Sequence, residues 1–169
     1  MKQFAKKVKL DGHTFDSAKE AQFYQQFIKP SGYKYEVHPS YTLTDSFLLG
    51  GYRQRKTTYA PDFVVFDEGE IKHVYDVKTS LSSEAITSGA KVRFKWFQLK
   101  YRIPVEIVVP RAHDFKMVLY GFTTPHMLDG HAHHDKHGNI KYTKNGDIVY
   151  DYYEVYKSID YDIHDIVGW

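Results

Sequence analysis

The 169-residue chain contains no cysteine, which excludes disulfides and thiolate metal sites and makes a reducing compartment such as the cytoplasm the expectation. It also lacks any apolar run near the roughly 20 residues of a membrane-spanning helix, and its lysine-rich start, Met1 to Leu10, has no apolar segment of the kind a secretion signal needs. A soluble, unprocessed protein with no membrane partner is expected. No glycine-rich, proline-rich or low-complexity linker interrupts the chain, and we find no internal repeat. One domain with appendages fits that length. Charge of one sign is scarce as well, the net being only +2. It is unevenly spread: residues 1–110 hold 17 Lys+Arg against 12 Asp+Glu, and residues 111–169 hold 6 against 9. A polyanion would bind the first part.

Aromatic residues, by contrast, are abundant at 17%, mostly because of 15 tyrosines, which can pack, hydrogen-bond or stack. Asp16 and Ser17 precede a run free of Gly and Pro, Ala18 to Ile28, that stops just before Pro30 and predicts a first helix. Tyr35 to Leu43 alternates and predicts a strand; Thr58 to Phe66 and Ile71 to Thr79 predict a hairpin around Asp67-Glu68-Gly69-Glu70. Lys91 to Arg102 predicts a second helix, and Val105 to Val109, between Pro104 and Pro110, a short buried strand. The core order is thus helix, three strands, helix, strand. Beyond it, a second hairpin is expected where Gly138 to Lys144 meets Asp147 to Tyr153 across Asn145-Gly146, a pair suited to a type I′ turn. Ile159, Ile163, Ile166 and Val167 form a small apolar face for the core or a partner. We divide the chain into a core, residues 1–110, and an extension, residues 111–169.

The chemistry gathers at the hairpin. Asp62 begins one strand, and Asp76 and Lys78 end the other on one face, because side chains alternate along a strand. Two carboxylates there can hold a hard divalent cation through oxygen, which would bridge a phosphate and acidify a bound water. A neighbouring lysine can orient that water or stabilise developing charge. Glu20 shares its helix face with Phe23, Tyr24 and Phe27 and needs a partner there, which a metal would supply. Ser17-x-x-Glu20 is equally a capping box, so spacing leaves both readings open.

Phe15-Asp16-Ser17-Ala18-Lys19-Glu20-Ala21, Tyr59-Ala60-Pro61-Asp62-Phe63, Tyr75-Asp76-Val77-Lys78-Thr79 and the basic helix from Lys91 together resemble the PD-(D/E)XK nuclease superfamily. Within it, they resemble small phage-type endonucleases catalogued as a domain of unknown function, and junction resolvases. The resemblance spans about residues 13–110. It implies an α/β (α+β, mixed-sheet) restriction-endonuclease-like αβββαβ core carrying a C-terminal β-hairpin extension. It makes Glu20, Asp62, Asp76 and the Val77 carbonyl ligands of Mg²⁺, with Mn²⁺ as a substitute, and Lys78 the catalytic lysine. The implied activity is hydrolysis of DNA phosphodiesters, on branched DNA first and on duplex or single strands second, in phage DNA recombination within the host cytoplasm. Symmetric cutting of a junction implies a homodimer. The alternative is a non-catalytic DNA-binding or assembly module on the same fold.

Further contacts with DNA are expected from two basic stretches. Tyr52, Arg53, Arg55, Lys56 and Tyr59 interleave charge with aromatic rings before Asp62, as a phosphate-gripping loop requires, though a mobile hydrophilic loop has the same composition. Lys91, Lys95, Gln98 and Arg102 form one polar stripe of the second helix, beside apolar faces carrying Phe94, Phe97, Tyr101 and Val92, Trp96, Leu99. That stripe faces either DNA or solvent. His126, His131, His133, His134 and His137 crowd one loop, which reads as solvated rather than zinc-binding, since no cysteine or i, i+4 pair on a helix accompanies them. His13, His38, His73, His113 and His164 read as packing or surface residues.

Overall fold

The computed structural model of the protein describes residues 6–82, 84–121 and 128–168. His126 of the histidine-rich stretch lies outside them. Strands β1 (Val8–Leu10) and β2 (His13–Phe15) pair antiparallel and lead into helix α1 (Ala18–Phe23). The helical path continues through a wide π turn, Tyr24–Ile28, and a tight 3₁₀ turn, Lys29–Ser31, before Gly32 ends it at φ 77°. It therefore passes Pro30 instead of stopping there. The wide turn accommodates a residue with no N–H to give, since Lys29 N–H already reaches back to the Tyr24 carbonyl.

The expected strand Tyr35 to Leu43 is two strands, β3 (Lys34–Val37) and β4 (Tyr41–Thr44), in different sheets. His38, at φ 50°, and Pro39 break it. A ribbon follows: β5 (Phe47–Leu49) pairs with β6 (Tyr52–Gln54), and β7 (Thr57–Tyr59) returns to pair with β4. The expected strand Thr58 to Phe66 is likewise divided at Ala60-Pro61-Asp62 into β7 and β8 (Phe63–Asp67). The two breaks lie side by side, His38 N–H donating to the Asp62 carbonyl at 3.1 Å. Both chains leave the main sheet at the same level.

From Asp67 the chain turns through Glu68 and Gly69, both at positive φ, into β9 (Glu70–Val77), the hairpin the sequence predicts. Helix α2 (Ser88–Tyr101), capped by the Thr87 hydroxyl, then crosses to β10 (Glu106–Pro110), which runs parallel to β9. Strand β11 (Phe115–Leu119) is antiparallel to β10. Short strands β12 (Gly130–Ala132) and β13 (Tyr150–Tyr152) pair with each other, β14 (Glu154–Tyr156) joins β11, and α3 (Ile163–Val167) closes the described chain. The main sheet is mixed, in the order β14-β11-β10-β9-β8-β3. No helix among the described residues is long and apolar enough to cross a membrane.

Alternation along the central strands fills two cores. Phe63, Val65, Tyr75, Val77 and Val108 face α1 with its Phe23, Tyr24 and Phe27, whereas Val64, Val74 and Ile107 face Phe94 and Phe97 of α2. Burial on both faces explains why Val105 to Val109 reads as a continuous apolar run. Ile159 and Ile163 join the first core, with Ile166 and Val167 against it, so the C-terminal apolar face docks on the core. Of the second apolar face of α2, Val92 and Leu99 are exposed.

The second hairpin takes another form, and with it comes a repeat that sequence inspection misses. Asp135 to Tyr142 and Thr143 to Tyr150 share an eight-residue pattern, Lys, His or Asn, Gly, Asn or Asp, Ile, and a final Tyr. Each closes the same turn: Gly138 N–H donates to the Asp135 carbonyl at 3.0 Å, and Gly146 N–H to that of Thr143 at 3.1 Å. Only the glycines take positive φ, so Asn145-Gly146 ends a three-residue loop with a glycine bulge rather than a type I′ turn. His133, Lys141 and Val149, eight residues apart, donate and accept around a closed backbone triangle. The period is too short to resemble the repeats of 20–50 residues that mark solenoids.

Candidate active site

Strand β9 ends at the centre of the sheet, where its N–H groups find unlike partners. Val77 N–H donates to Asp62 Oδ2 at 2.6 Å, and Lys78 N–H donates to the Val108 carbonyl at 2.9 Å. Asp62 is thereby anchored by the residue between Asp76 and Lys78. Asp76, 6% exposed, lies on the α2 side, where it accepts from Tyr59 Oη at 3.1 Å through Oδ2 and pairs with Lys78 Nζ through Oδ1. A cavity of about 480 Å³ opens here between β9 and α2, lined by Tyr59, Asp76, Lys78, Ala90, Arg93 and Phe94.

Glu20 approaches from α1. Its carboxylate accepts from Ser17 Oγ and from Asp16 N–H, both at 3.0 Å, while Ser17 Oγ accepts from Glu20 N–H. The capping box is formed. Glu20 Oε2 also lies 3.1 Å from His38 Nε2, which is 3.7 Å from Asp62 Oδ1. The capping glutamate therefore also faces Asp62 across an imidazole. Among the described residues, Asp16, Glu20 and His38 are the group whose ligand atoms converge, all within 4.8 Å.

Electrostatics show what the arrangement lacks. Burial pushes the Asp62 carboxyl well above the ordinary carboxylate range, and the charges of Asp76 and Glu20 push it further, against the Val77 N–H and Lys78. Burial and the Asp76 charge likewise raise the Tyr59 phenol, so it remains a donor to Asp76. Hydrogen bonding to Glu20 raises His38. Three carboxylates thus lie within electrostatic reach of one another with one lysine and one imidazole beside them, an excess of negative charge that a divalent cation bound through oxygen would offset.

The raised Asp62 value has a consequence for stability. A carboxyl whose folded pKa exceeds its unfolded one favours the fold below about pH 4 and loses that contribution as pH rises through the folded value. At neutral pH the buried Asp62 carboxyl therefore opposes folding. Asp62→Asn keeps an oxygen for Val77 N–H and removes the charge. In chelator at pH 7.5 it should melt about 2–4 °C above wild type, the shift expected for roughly 1 kcal/mol in a chain of this size. Mg²⁺ should raise the melting temperature of wild type and leave the variant's unchanged. A variant that melts below wild type in chelator would show that Asp62 stabilises the fold.

Several expected DNA contacts sit elsewhere. Tyr59 is buried at 4% exposure and holds Asp76, so it cannot grip phosphate. Gln98 is occupied, accepting from Val105 N–H at 2.8 Å and donating to the Tyr120 carbonyl at 3.2 Å. Lys95 borders a separate hollow with Gln98, Tyr120 and Gly121, while Lys91 does not line the cavity beside Asp76 and Lys78. Arg102 is the exposed left-handed residue that ends α2. Arg53, Arg55 and Lys56 are exposed on the ribbon. Arg93 and His38 line the site instead. Arg93 directly precedes the inward-facing Phe94, and that adjacency was its only signal. His38-Pro39 marked the strand break but not its neighbours. In the C-terminal extension, His133 Nδ1 pairs with Asp151 at 2.7 Å, and His131 stacks on Tyr153.

Residues 1–115 match the family model described as "Protein of unknown function (DUF1064)". The chain is a DUF1064 protein. No curated protein and no solved structure matches it. The DUF1064 match takes in Glu20, His38, Asp62, Asp76, Lys78 and Arg93, and it ends on Phe115, the first residue of β11.

Proposed function

We propose that this DUF1064 protein is a Mg²⁺-dependent endodeoxyribonuclease with a PD-(D/E)XK core, acting on branched DNA as a homodimer. The observation that carries the reading is the convergence of Asp62, Asp76 and Lys78 through Val77 at the end of one strand, with Glu20 facing them from α1. The reading is supported by the element order, since α1, β3, β8, β9, α2 and β10 follow as helix, three strands, helix and strand, with the β4–β7 ribbon set between β3 and β8. Glu20, Asp62, Asp76 and the Val77 carbonyl would hold Mg²⁺ or Mn²⁺, which supplies an acidified water and neutralises charge on the scissile phosphate.

The chain's own groups divide the remaining work. Lys78, held by Asp76, orients the attacking water and stabilises the extra negative charge as the phosphorane forms. Tyr59 fixes the second Asp76 oxygen. Arg93, on the cavity wall, offers a planar fork to a phosphate oxygen pair. Arg53, Arg55 and Lys56 grip the backbone further along.

Incubation with four-way junction, flap, duplex and single-stranded DNA, with and without Mg²⁺, tests the reading. Cleavage is expected only with Mg²⁺ or Mn²⁺, and fastest on the junction. Neutralising Arg53, Arg55 and Lys56 together should flatten the slope of log affinity against log salt by roughly two to three, at about 0.9 per phosphate contact on duplex DNA. Binding without cleavage of any substrate would leave a DNA-binding module in place of a nuclease.

A further inference from the structure

The ribbon that carries those three cations ends in a tip the proposed chemistry does not use. Strands β5 and β6 meet at Gly50-Gly51, and Gly50 at φ 60° makes the turn sharp. Around it Leu48, Leu49 and Tyr52 are 66%, 65% and 81% exposed, and Phe47 is half-exposed. Among the described residues these three are the most exposed large apolar side chains. Cross-strand pairing places Leu49 opposite Tyr52 and Phe47 opposite Gln54 on one face, and Leu48 opposite Arg53 on the other. Large apolar side chains gathered at one exposed tip, on both of its faces, mark an interaction site.

The root of the ribbon is held while its tip is free. Thr42, in β4, accepts through its carbonyl from Lys100 Nζ and Tyr101 Oη of α2, each at 2.8 Å, and Tyr59 in β7 binds Asp76. From Tyr59 to Gly51 is roughly 25 Å of extended chain at about 3.3 Å per residue, or about seven base pairs of duplex. Between tip and root stand Arg53, Arg55 and Lys56, which among the described residues have no acidic partner. Apolar groups at the end and unpaired cations behind them complement a nucleic acid, whose stacked bases are apolar and whose rim is phosphate.

We propose that the β5–β6 hairpin is a wedge that enters the DNA at a branch or weakened base step, Tyr52 stacking on an unpaired base while Leu48 and Leu49 part its neighbours. The proposal rests on the nuclease reading and deepens it by naming what selects the substrate. Apolar wedges unstack base steps cheaply where pairing is already lost, so a branched molecule is preferred over linear duplex. Catalytic groups stay at the root, and the tip measures distance from the branch.

The test uses the full chain carrying Leu48→Ser, Leu49→Ser and Tyr52→Ser, exposed positions whose change leaves the cores intact. A four-way junction with 2-aminopurine at the branch reports unstacking by its fluorescence, in chelator so that no strand is cut. Wild type should raise the fluorescence, and the triple variant should not. Branched-DNA affinity should fall about tenfold to a hundredfold, the equivalent of one lost base–aromatic stack, with duplex affinity nearly unchanged. Tyr52→Phe alone should behave as wild type. Equal fluorescence from wild type and triple variant overturns the wedge. So does loss of self-association by the variant in sedimentation, or of binding to anionic vesicles, at unchanged fluorescence. Absence of cleavage by wild type with Mg²⁺ is a separate failure, that of the nuclease reading, and the fluorescence result stands apart from it.

Discussion

Under the proposed nuclease reading, Lys78→Ala and Asp76→Asn should each slow DNA cleavage about a thousandfold or more while the protein stays folded, because that reading gives both groups chemistry rather than packing. Removing one well-placed donor from a developing oxyanion typically costs a hundredfold to a thousandfold, and loss of a carboxylate ligand adds weakened metal binding. The pair is interdependent here, since Lys78 Nζ rests on Asp76. The double variant should therefore be scarcely slower than either single one. Glu20→Gln makes the contrast. Glutamine keeps one side-chain oxygen for the Asp16 N–H, and its amide N–H can donate to Ser17 Oγ, so the helix start survives, but it lacks the charge a cation needs. A stable, inactive Glu20→Gln protein is expected. Initial rates with saturating Mg²⁺, beside thermal melts, measure both properties. Cleavage near the wild-type rate by Lys78→Ala would remove the lysine from the mechanism, and full activity in Glu20→Gln would return Glu20 to a purely structural role.

Glu106→Ala should destabilise the protein by about 3–5 kcal/mol, the range for removing one partner of a buried ionisable pair. Glu106 is 1% exposed and His73 wholly buried, their side chains 2.8 Å apart across β9 and β10. The far nitrogen of His73 lies 2.9 Å from the Ile159 carbonyl, to which it must donate. Tyr161 donates to the other Glu106 oxygen at 2.6 Å and meets Tyr75 Oη at 2.8 Å. Without Glu106, both His73 and Tyr161 lose their carboxylate partner beside a wholly buried imidazole. Against a typical total of 5–15 kcal/mol the loss is large. Because Ile159 and Tyr161 are the strap that holds the C-terminal segment, limited proteolysis should clip the variant there first. Truncation after Phe115, where the DUF1064 match ends, should go further and prevent folding, as it removes Met117, Leu119, Ile159 and Ile163 from the core shared with α1. A stable, monodisperse 1–115 fragment would contradict this account. Chemical denaturation of Glu106→Ala measures the smaller effect.

Local signals proved readable where the answer depends on neighbours in sequence. Ser17 and Glu20 determine the start of α1 because a cap is made by residues three apart. Asp67 to Glu70 determines the β8–β9 hairpin because positive φ at Glu68 and Gly69 is a local cost that few sequences accept. Alternation put Asp76 and Lys78 on one face, whereas spacing gave α2 two apolar faces without choosing the one that Phe94 and Phe97 bury.

Tertiary structure decided what depends on residues far apart. Whether Tyr35 to Leu43 is one strand or two turns on His38 meeting the Asp62 carbonyl, 24 positions away, so that both chains swing off the sheet together. Tyr59 and Gln98 read as phosphate contacts because tyrosine and glutamine suit that role. They are structural because protein groups take up each side chain, Asp76 that of Tyr59 and the Val105 N–H and Tyr120 carbonyl that of Gln98. Arg93, not Lys91 or Lys95, lines the site because helix rotation is set by Phe94 and Phe97 seeking the core. His38 faces Glu20 and Asp62 because packing brings α1 against the end of the sheet. Composition and spacing thus determined which residues could do chemistry, whereas three-dimensional packing decided which of them share a site, since burial and long-range pairing have no period along the chain.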